Sequence, residues 1–458
     1  MNGLASITLE QWDRRYEELR AAGLREPEYG GPLRRHVEDG DRRLLRLRFD
    51  PSPAALRLWN FLLTEEDRLR KARRDGKKLV GVMKDLGTTA LMTHCVPELV
   101  AFYPDGAWWI PCVMEMRAGL FSIADSLGIN DSFCPVRAML GAFVTGAHFP
   151  IPDMLVCSAG ATCDDFSAIA QRLEGLGHAI LWWEIPHRRK PESGEGRVEL
   201  PGGFVAPAEQ VAVVRAELDR VREGLQSLAG SRLDDARLAA GIRKANQARG
   251  LLADLRRQAF TAARCPMPAL EMLVAEMLAI HFCSDFDESL RVLSDLHEEV
   301  SARVLSGKGT LPADAVRVYW VNPVADLQVM NLLESCGGRV CGTEYLFSHA
   351  LDPIPEDLGP MEALARMALA DPMVGPASDR AERICRDAVG FGAEAVLVSR
   401  IPGASHCALE GEAIAEGVRR LGLPVAEIEV PSLSDACRPR LVTRLGGLIE
   451  TALRRRGS

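Results

Sequence analysis

Two stretches of the chain, MLVCSAGATCDD at residues 154–165 and AVLVSRIPGASHC at residues 395–407, share one order of features. Each begins with an apolar run typical of a buried strand. Each continues through a serine into a loop that holds a cysteine, Cys163 in the first and Cys407 in the second. Open α/β sheets place their ligands in the loops at the carboxyl ends of their strands. The pair therefore predicts two α/β units whose cysteine loops face one cleft.

Around each stretch, short apolar runs bounded by Gly and Pro alternate with helical segments, which is typical of a parallel sheet with crossover helices. The predicted strands of the first unit are residues 79–83, 108–113, 154–157 and 180–185. Those of the second unit are residues 316–321, 339–342, 395–399 and 425–430. We expect an α/β protein with two Rossmann-like, four-stranded parallel-sheet domains.

The remaining segments have helical periodicity with abundant charge. We predict an N-terminal helical region at 1–77, a first α/β domain at 78–206, a helical insert at 207–308 and a second α/β domain at 309–458. A polar loop at 188–203 is long enough for a lid or a domain boundary. It opens with Arg188, Arg189 and Lys190, interpreted as a solvated charge run in preference to a cationic cluster that contacts the phosphates of a ligand.

Composition excludes several classes of protein. The chain has 458 residues, 47% hydrophobic and 26% charged, which is ordinary for a globular protein. Its net charge of −8 offers no basic surplus for nucleic acid. Neither an uncharged apolar run long enough for a membrane span nor a signal-peptide pattern is present. Twelve cysteines are too dilute for a disulfide scaffold, so we expect reduced thiols and a cytoplasmic location.

Common nucleotide and catalytic motifs are absent from the sequence. It contains neither a phosphate-binding loop of the G-x-x-x-x-G-K-[ST] type nor G-x-G-x-x-G, H-E-x-x-H or G-x-S-x-G. It also has no C-x-x-C pair, which disfavours a zinc ribbon or a thioredoxin-like site. If ATP is used, we expect another chain to bind it.

Three cysteines lie in predicted loops before helices: Cys134 in SFCP, Cys163 in TCDD and Cys407 in ASHC. A thiolate in such a place gains from the amide dipoles of the helix. Iron–sulfur clusters are held by cysteine thiolates, so cluster ligation is one interpretation and structural thiols are the other. Cys95 and Cys112 either line the same site or are buried. The other cysteines are interpreted as structural: Cys157, Cys265, Cys283, Cys336, Cys341, Cys385 and Cys437.

Six features, in order along the chain, resemble the iron–sulfur subunits of the 2-hydroxyacyl-CoA dehydratase and benzoyl-CoA reductase family. They cover roughly half of the chain and lie within residues 75–187 and 312–450. The features are DGKK at 75–78, CVPEL at 95–99 as a segment opening a helix, Cys134-Pro135, Cys163-Asp164, NLLESCGGRV at 331–340, and Cys407 with LPVAEI at 423–428.

The resemblance implies a 4Fe-4S cluster held by Cys134, Cys163 and Cys407, with one iron left open. It also implies an enzyme that injects a single electron into an acyl-CoA thioester, with dehydration of 2-hydroxyacyl-CoA or reduction of an aromatic acyl-CoA as the outcome. The implied partners are a paralogous subunit or a second copy, and an ATP-hydrolysing iron–sulfur activator that supplies the electron. The missing phosphate loop agrees with such a division of labour.

The chain departs from the family in three places. Tyr345 stands where many relatives have a further cysteine, and residues 371–380 lack the cysteines of relatives with a double-cubane cluster. The helical insert is also long. Two alternatives remain: a related iron–sulfur reductase of a small substrate other than a CoA ester, and a non-enzymatic two-domain binding protein.

Overall fold

The computed structural model contains two four-stranded sheets, both entirely parallel. It describes residues 6–24, 30–38, 42–83, 87–105, 119–161, 163–278, 284–345, 351–404, 410–431 and 435–457. Parallel sheets are covered by helices on both faces, which explains why most of their strands are runs of buried residues rather than alternating patterns. The predicted fold class is confirmed.

The first sheet has the order β2-β1-β3-β4, and β1 and β3 lie in its centre. Its strands are β1 (Lys78–Met83), β2 (Leu99–Phe102), β3 (Met154–Gly160) and β4 (Ile180–Ile185). After it comes a short antiparallel hairpin of β5 (Arg197–Glu199) and β6 (Val205–Pro207).

The second sheet has the order β10-β9-β7-β8. Its strands are β7 (Val316–Val321), β8 (Gly338–Glu344), β9 (Ala395–Arg400) and β10 (Val425–Glu429). All four lie within a few residues of the strands predicted from the sequence.

The other regular elements of the described chain are mainly helices. Those before and within the first α/β unit are α1 (Leu9–Ala21), α2 (Arg34–Glu38), α3 (Pro53–Leu63), α4 (Glu65–Arg74), α5 (Thr88–His94), α6 (Leu120–Ser126), α7 (Ala138–Thr145) and α8 (Asp164–Gly175). Those of the insert are α9 (Ala208–Ala229), α10 (Asp235–Thr261), α11 (Ala269–Met277) and α12 (Phe286–Leu305). The remainder are α13 (Gln328–Ser335), α14 (Pro360–Leu369), α15 (Ala377–Gly390), α16 (Gly411–Arg420) and α17 (Arg438–Arg456).

Local sequence sets several helix starts. Thr8 and Gln11 form a reciprocal capping box at α1, and the Ser52 side chain caps α3 with Pro53 in its first turn. Asp234 and Asp285 accept backbone N–H groups at the starts of α10 and α12. Within the described ranges, no helix is both long and apolar enough to cross a membrane.

Two points about the first sheet differ from or go beyond the predictions. The strand β2 is not among the predicted strands, and the predicted strand at 108–113 lies outside the described residues, so it stays a prediction. The segment at 95–99 does not open a helix: α5 ends at His94, and the segment turns directly into β2. The backbone N–H of Lys78 bonds the Glu98 carbonyl at 2.9 Å, which draws this turn to the start of β1.

Arg188 connects the first α/β unit to helices of the second. Its backbone N–H donates to the Val374 carbonyl at 2.8 Å, and its guanidinium donates to the Leu369 carbonyl at 2.7 Å. The side chain is buried, with the Phe204 ring 4.1 Å away. The solvated interpretation is therefore wrong for Arg188. Nearby, Arg189 pairs with Glu195, and Lys190 lies 3.7 Å from Asp379.

The helical insert holds a fully buried carboxyl group, that of Glu271 on α11. Its Oε1 accepts the backbone N–H of Asp50 at 2.9 Å and the indole N–H of Trp59 at 3.1 Å. Burial, reinforced by the Asp50 carboxylate, raises the pKa of Glu271 to about 8. The group is therefore mostly protonated at neutral pH.

We expect the stability of the protein to decline as pH rises from about 5 to about 8, and Glu271→Gln to flatten that decline. The folded state holds the Glu271 proton to higher pH than the unfolded state, so each pH unit in this window costs up to about 1.4 kcal/mol. Gln keeps the acceptor oxygen and has no proton to lose. Urea unfolding at several pH values measures the slope, and equal slopes for wild type and variant would contradict the expectation.

Candidate functional site

Cys134 and Cys163 occupy equivalent local positions, each as the residue that caps a helical turn. Cys134 precedes the 3₁₀ turn Pro135–Arg137, whose proline favours the first helical position. Cys163 precedes α8 and has extended backbone angles. Both side chains are half-buried. Each sulfur thus belongs to a loop at a helix start, as the sequence predicts.

The carboxylate of Asp165 connects these two cysteine loops. Its Oδ1 accepts the backbone N–H of Cys134 at 3.4 Å, and its Oδ2 lies 3.8 Å from the Sγ of Cys163. Asp165 is 4% exposed, so this is an interior contact. Cys134 and Cys163, which are 29 positions apart in the chain, therefore both contact the Asp165 side chain.

The Cys163 loop begins with a tight turn at the carboxyl end of β3. Gly160 has a φ of +91°, and a Cβ at this position would overlap the Ile185 carbonyl oxygen. The turn is continued by the backbone N–H of Ala161, which donates to the same carbonyl at 2.8 Å. Glycine is required here by both conformation and space.

A second glycine brings the loop after β9 against the Cys134 loop. Gly403 has a φ of +83°, and a Cβ there would overlap the carbonyl of Phe133, the residue before Cys134. The carbonyl of Phe133 also lies 3.5 Å from Nη1 of Arg137. The two α/β units therefore touch at the backbone next to Cys134.

Cys407 lies outside the described residues, but both flanks of its loop are described. On the amino side, Gly403 contacts the Cys134 loop. On the carboxyl side, Glu410 pairs with Arg380 at 2.5 Å. Five residues, at positions 405–409, lie between Ala404 and Glu410.

Arg380 is the centre of a buried polar network at the carboxyl edge of the second sheet. Its Nε and Nη2 bond the two oxygens of Glu344 at 3.1 and 2.6 Å. Nη2 also donates to Asn322 Oδ1 at 2.5 Å. Asn322 has a φ of +69° and donates from its side chain to the Ser399 carbonyl at 2.9 Å. The network ties the ends of β7, β8 and β9 to the Cys407 loop.

The charged groups of this network shift the pKa of one another. Burial lowers the pKa of Arg380, but its Glu344 and Glu410 partners outweigh that effect and raise it. Burial raises the pKa of Glu344, although the Arg380 guanidinium opposes the shift. Breaking the pair would leave a buried carboxylate without its cation, which is costly in a protein interior.

Cys95 does not join Cys134 and Cys163. It follows α5, so it lies at the amino edge of the first sheet, and its Sγ faces Gly241 of α10. Burial raises the pKa of its thiol to about 11. Cys112 lies outside the described residues, so its place in the site is still open.

Three of the seven cysteines interpreted as structural are buried, which fits that interpretation. Cys157, Cys265 and Cys341 are buried, and burial raises the pKa of each thiol, to about 12 for Cys157 and Cys341. Cys336, Cys385 and Cys437 are half-buried, and Cys283 lies outside the described residues. Over the described ranges, no three His, Cys, Asp or Glu side chains are grouped to hold a metal ion.

Sequence reasoning missed the residues that hold the two loops in place. Asp165 carries a visible signal, because two acidic residues follow Cys163 in the first turn of a predicted helix. Arg380, Glu344 and Gly403 carry none, since their contacts join segments far apart in the chain.

Comparison with known proteins gives one family and no curated relative. The protein-family model described as 2-hydroxyglutaryl-CoA dehydratase, D-component, matches residues 100–452, which include Cys134, Cys163, Asp165 and both flanks of the Cys407 loop. A search of curated proteins finds no match. The family match spans most of the chain and both parallel sheets except β1 and the start of β2. The chain belongs to the 2-hydroxyglutaryl-CoA dehydratase D-component family.

Proposed function

We propose that this chain is an iron–sulfur subunit of an ATP-activated enzyme that dehydrates a 2-hydroxyacyl-CoA thioester. The observation that carries the proposal is the meeting of Cys134 and Cys163 at Asp165, in a chain of this family. Dehydration is favoured over reduction of an aromatic acyl-CoA because the matching family is described as a dehydratase component.

Cys134 and Cys163 suit a thiolate-bound cluster. Both lie at helix starts, where backbone N–H groups and the helix dipole favour thiolate over thiol. Both are half-buried, which leaves room for a group beside them, unlike Cys157 in the core. With Cys407 as the third ligand, they would hold a 4Fe-4S cluster with one open iron. When bound, such a cluster supplies single electrons at low potential.

The flanks of the Cys407 loop support its membership of this site. Gly403 contacts the backbone beside Cys134, and Glu410 is held by Arg380 at the carboxyl edge of the second sheet. Ligands of open α/β sheets bind at such edges. In our proposal, Asp165 orients the two loops of the first unit, and Arg380 orients the loop of the second.

The proposal includes the partners implied by the family resemblance. A paralogous subunit or a second copy completes the enzyme, and a separate ATP-hydrolysing iron–sulfur protein delivers the electron.

An anaerobic assay tests the proposed function. The chain, purified with its partner subunit, is incubated with an ATP-dependent activator, ATP, a reductant and a 2-hydroxyacyl-CoA. We expect formation of the 2-enoyl-CoA with loss of water, dependent on both ATP and activator. Turnover of an aromatic acyl-CoA instead, with no dehydration, would make the chain a reductase subunit and overturn the proposal.

We expect Asp165→Ala to lower bound iron several-fold while leaving the protein folded, because the variant removes the carboxylate shared by the two cysteine loops. Asp164→Ala is a matched control: Asp164 is exposed in the same helical turn and contributes a similar charge at the helix start. Iron per chain and the melting temperature are measured for both variants. Equal iron in the two variants would remove Asp165 from the site.

A further inference from the structure

A cavity of about 640 Å³ lies between α4, α5, α10 and the start of α12. Lys77, which precedes β1, and Cys95, which follows α5, both line it, so the cavity opens at the amino edge of the first sheet. Cys163 follows the carboxyl end of β3, at the opposite edge. The cavity is therefore separate from the proposed cluster site, and its size is that of a small-molecule pocket.

Positive charge predominates in the lining. Three carboxylates, those of Asp75, Asp285 and Asp287, face six cationic side chains: Arg68, Lys71, Lys77, Arg237, Lys244 and Arg249. This excess of cations is unusual in a chain with a net charge of −8.

The six cations differ in their partners: Arg68 pairs with Glu65 at 2.5 Å, and Arg249 donates to the Asp352 carbonyl at 2.6 Å. Lys71 pairs with Asp75 at 2.7 Å, and Lys244 pairs with Asp287 at 2.6 Å. Within the described residues, neither Lys77 nor Arg237 forms an ion pair; Arg237 donates to the backbone carbonyl of Arg232. An anion entering the cavity would meet both of them.

The cavity also has an apolar and aromatic wall. The Phe286 ring lies 5.0 Å from the Lys244 ammonium and stacks on the His94 ring, with centroids 6.4 Å apart. Leu91 and Val96 add apolar surface. The Cys95 thiol is neutral, because burial raises its pKa to about 11, so it adds no negative charge. A ligand complementary to this lining in charge and polarity has anionic groups joined to a flat or apolar body.

We infer that this cavity binds a phosphorylated organic anion of nucleotide size. The inference stands independently of the proposed function, because it uses none of the cluster cysteines. Lysine and arginine are the residues with which proteins contact phosphate groups. Free nucleoside phosphates and the phosphorylated nucleotide end of coenzyme A share this chemistry, and the two sources can be separated by experiment.

Titration calorimetry on cluster-free protein tests the inference, with ADP and coenzyme A as probes. We expect saturable binding that weakens as salt increases. Lys77→Gln combined with Arg237→Gln is expected to weaken binding about tenfold or more, because two cations of the lining that could contact the anion are lost. Ala240→Trp, which fills the cavity from the exposed face of α10, should weaken binding without a change of charge.

The matched control is Lys308→Gln combined with Arg243→Gln, which removes the same two charges outside the cavity. Its affinity should stay within about twofold of wild type, since exposed charges at a distance are screened by salt. Equal binding of ADP and coenzyme A supports recognition of the nucleotide part, and binding of coenzyme A alone supports coenzyme A as the source. Absence of saturable binding for both probes, or equal weakening in the control, overturns the inference. Absence of iron would contradict the proposed function and leave this result unaffected.

Discussion

Cys134→Ser and Cys163→Ser are each expected to reduce the iron of anaerobically purified protein from about four atoms per chain to below one. A serine hydroxyl is a far poorer iron ligand than a thiolate, and each variant removes one of three proposed protein ligands. Activity with the ATP-dependent activator should fall to background in both. Iron is measured together with the visible absorbance of the cluster.

The control for this prediction is Cys336→Ser. Cys336 is also half-buried, but it follows α13 and its Sγ lies 4.0 Å from the Val442 carbonyl, away from the two cysteine loops. We expect its iron content to match wild type. Full iron in Cys134→Ser, or equal loss in Cys336→Ser, would contradict the assignment of the ligands.

Arg380→Met is expected to destabilise the protein by about 3–5 kcal/mol, the usual cost of removing one partner of a buried ion pair. Glu344 is 2% exposed and would lose both hydrogen bonds from the guanidinium. Its folded-state pKa, already raised by burial, would rise further. The deficit should therefore grow as pH rises above the folded-state pKa of Glu344 in the wild type and shrink in acid, because the variant holds this proton to higher pH.

Two further variants separate the charge effect from loss of packing. Arg380→Met combined with Glu344→Gln should recover much of the stability, because no carboxylate is then buried without its cation. Arg419→Met on α16 removes an exposed arginine paired with Glu412 and should cost no more than about 1 kcal/mol. Chemical unfolding measures all three variants. A double variant no more stable than Arg380→Met, at every pH, would contradict the role given to Glu344.

Most of the fold follows from local sequence. In the second sheet, β7 and β9 are mainly apolar segments of six residues bounded by polar or turn residues, and this pattern predicts them directly. The strand β2 does not, because it has only four residues and follows a helix after a short turn. The segment at 108–113, which contains two tryptophans, has a higher strand propensity than β2, so the sequence predicts a strand there instead.

The candidate site could be predicted only in its chemistry. Cys134 and Cys163 are placed in helix-start loops by local signals such as the Cys-Pro pair. The two loops meet at Asp165 because α8 packs against the turn after Cys134. No local sequence pattern encodes this packing. The same holds for Gly403. The sequence shows a glycine at this position, but it does not show that the Phe133 carbonyl lies close enough to exclude a side chain there. The predicted domain boundaries and Cys407 as a ligand stay predictions.

In our proposal, this chain holds one cluster through Cys134, Cys163 and Cys407. Iron and acid-labile sulfide per chain, measured on anaerobically purified and reconstituted wild-type protein, are the decisive test of this cluster. We expect a brown protein with about four iron atoms and about four sulfides per chain. A colourless protein with less than one iron per chain after reconstitution would contradict it and favour a two-domain binding protein without a cluster.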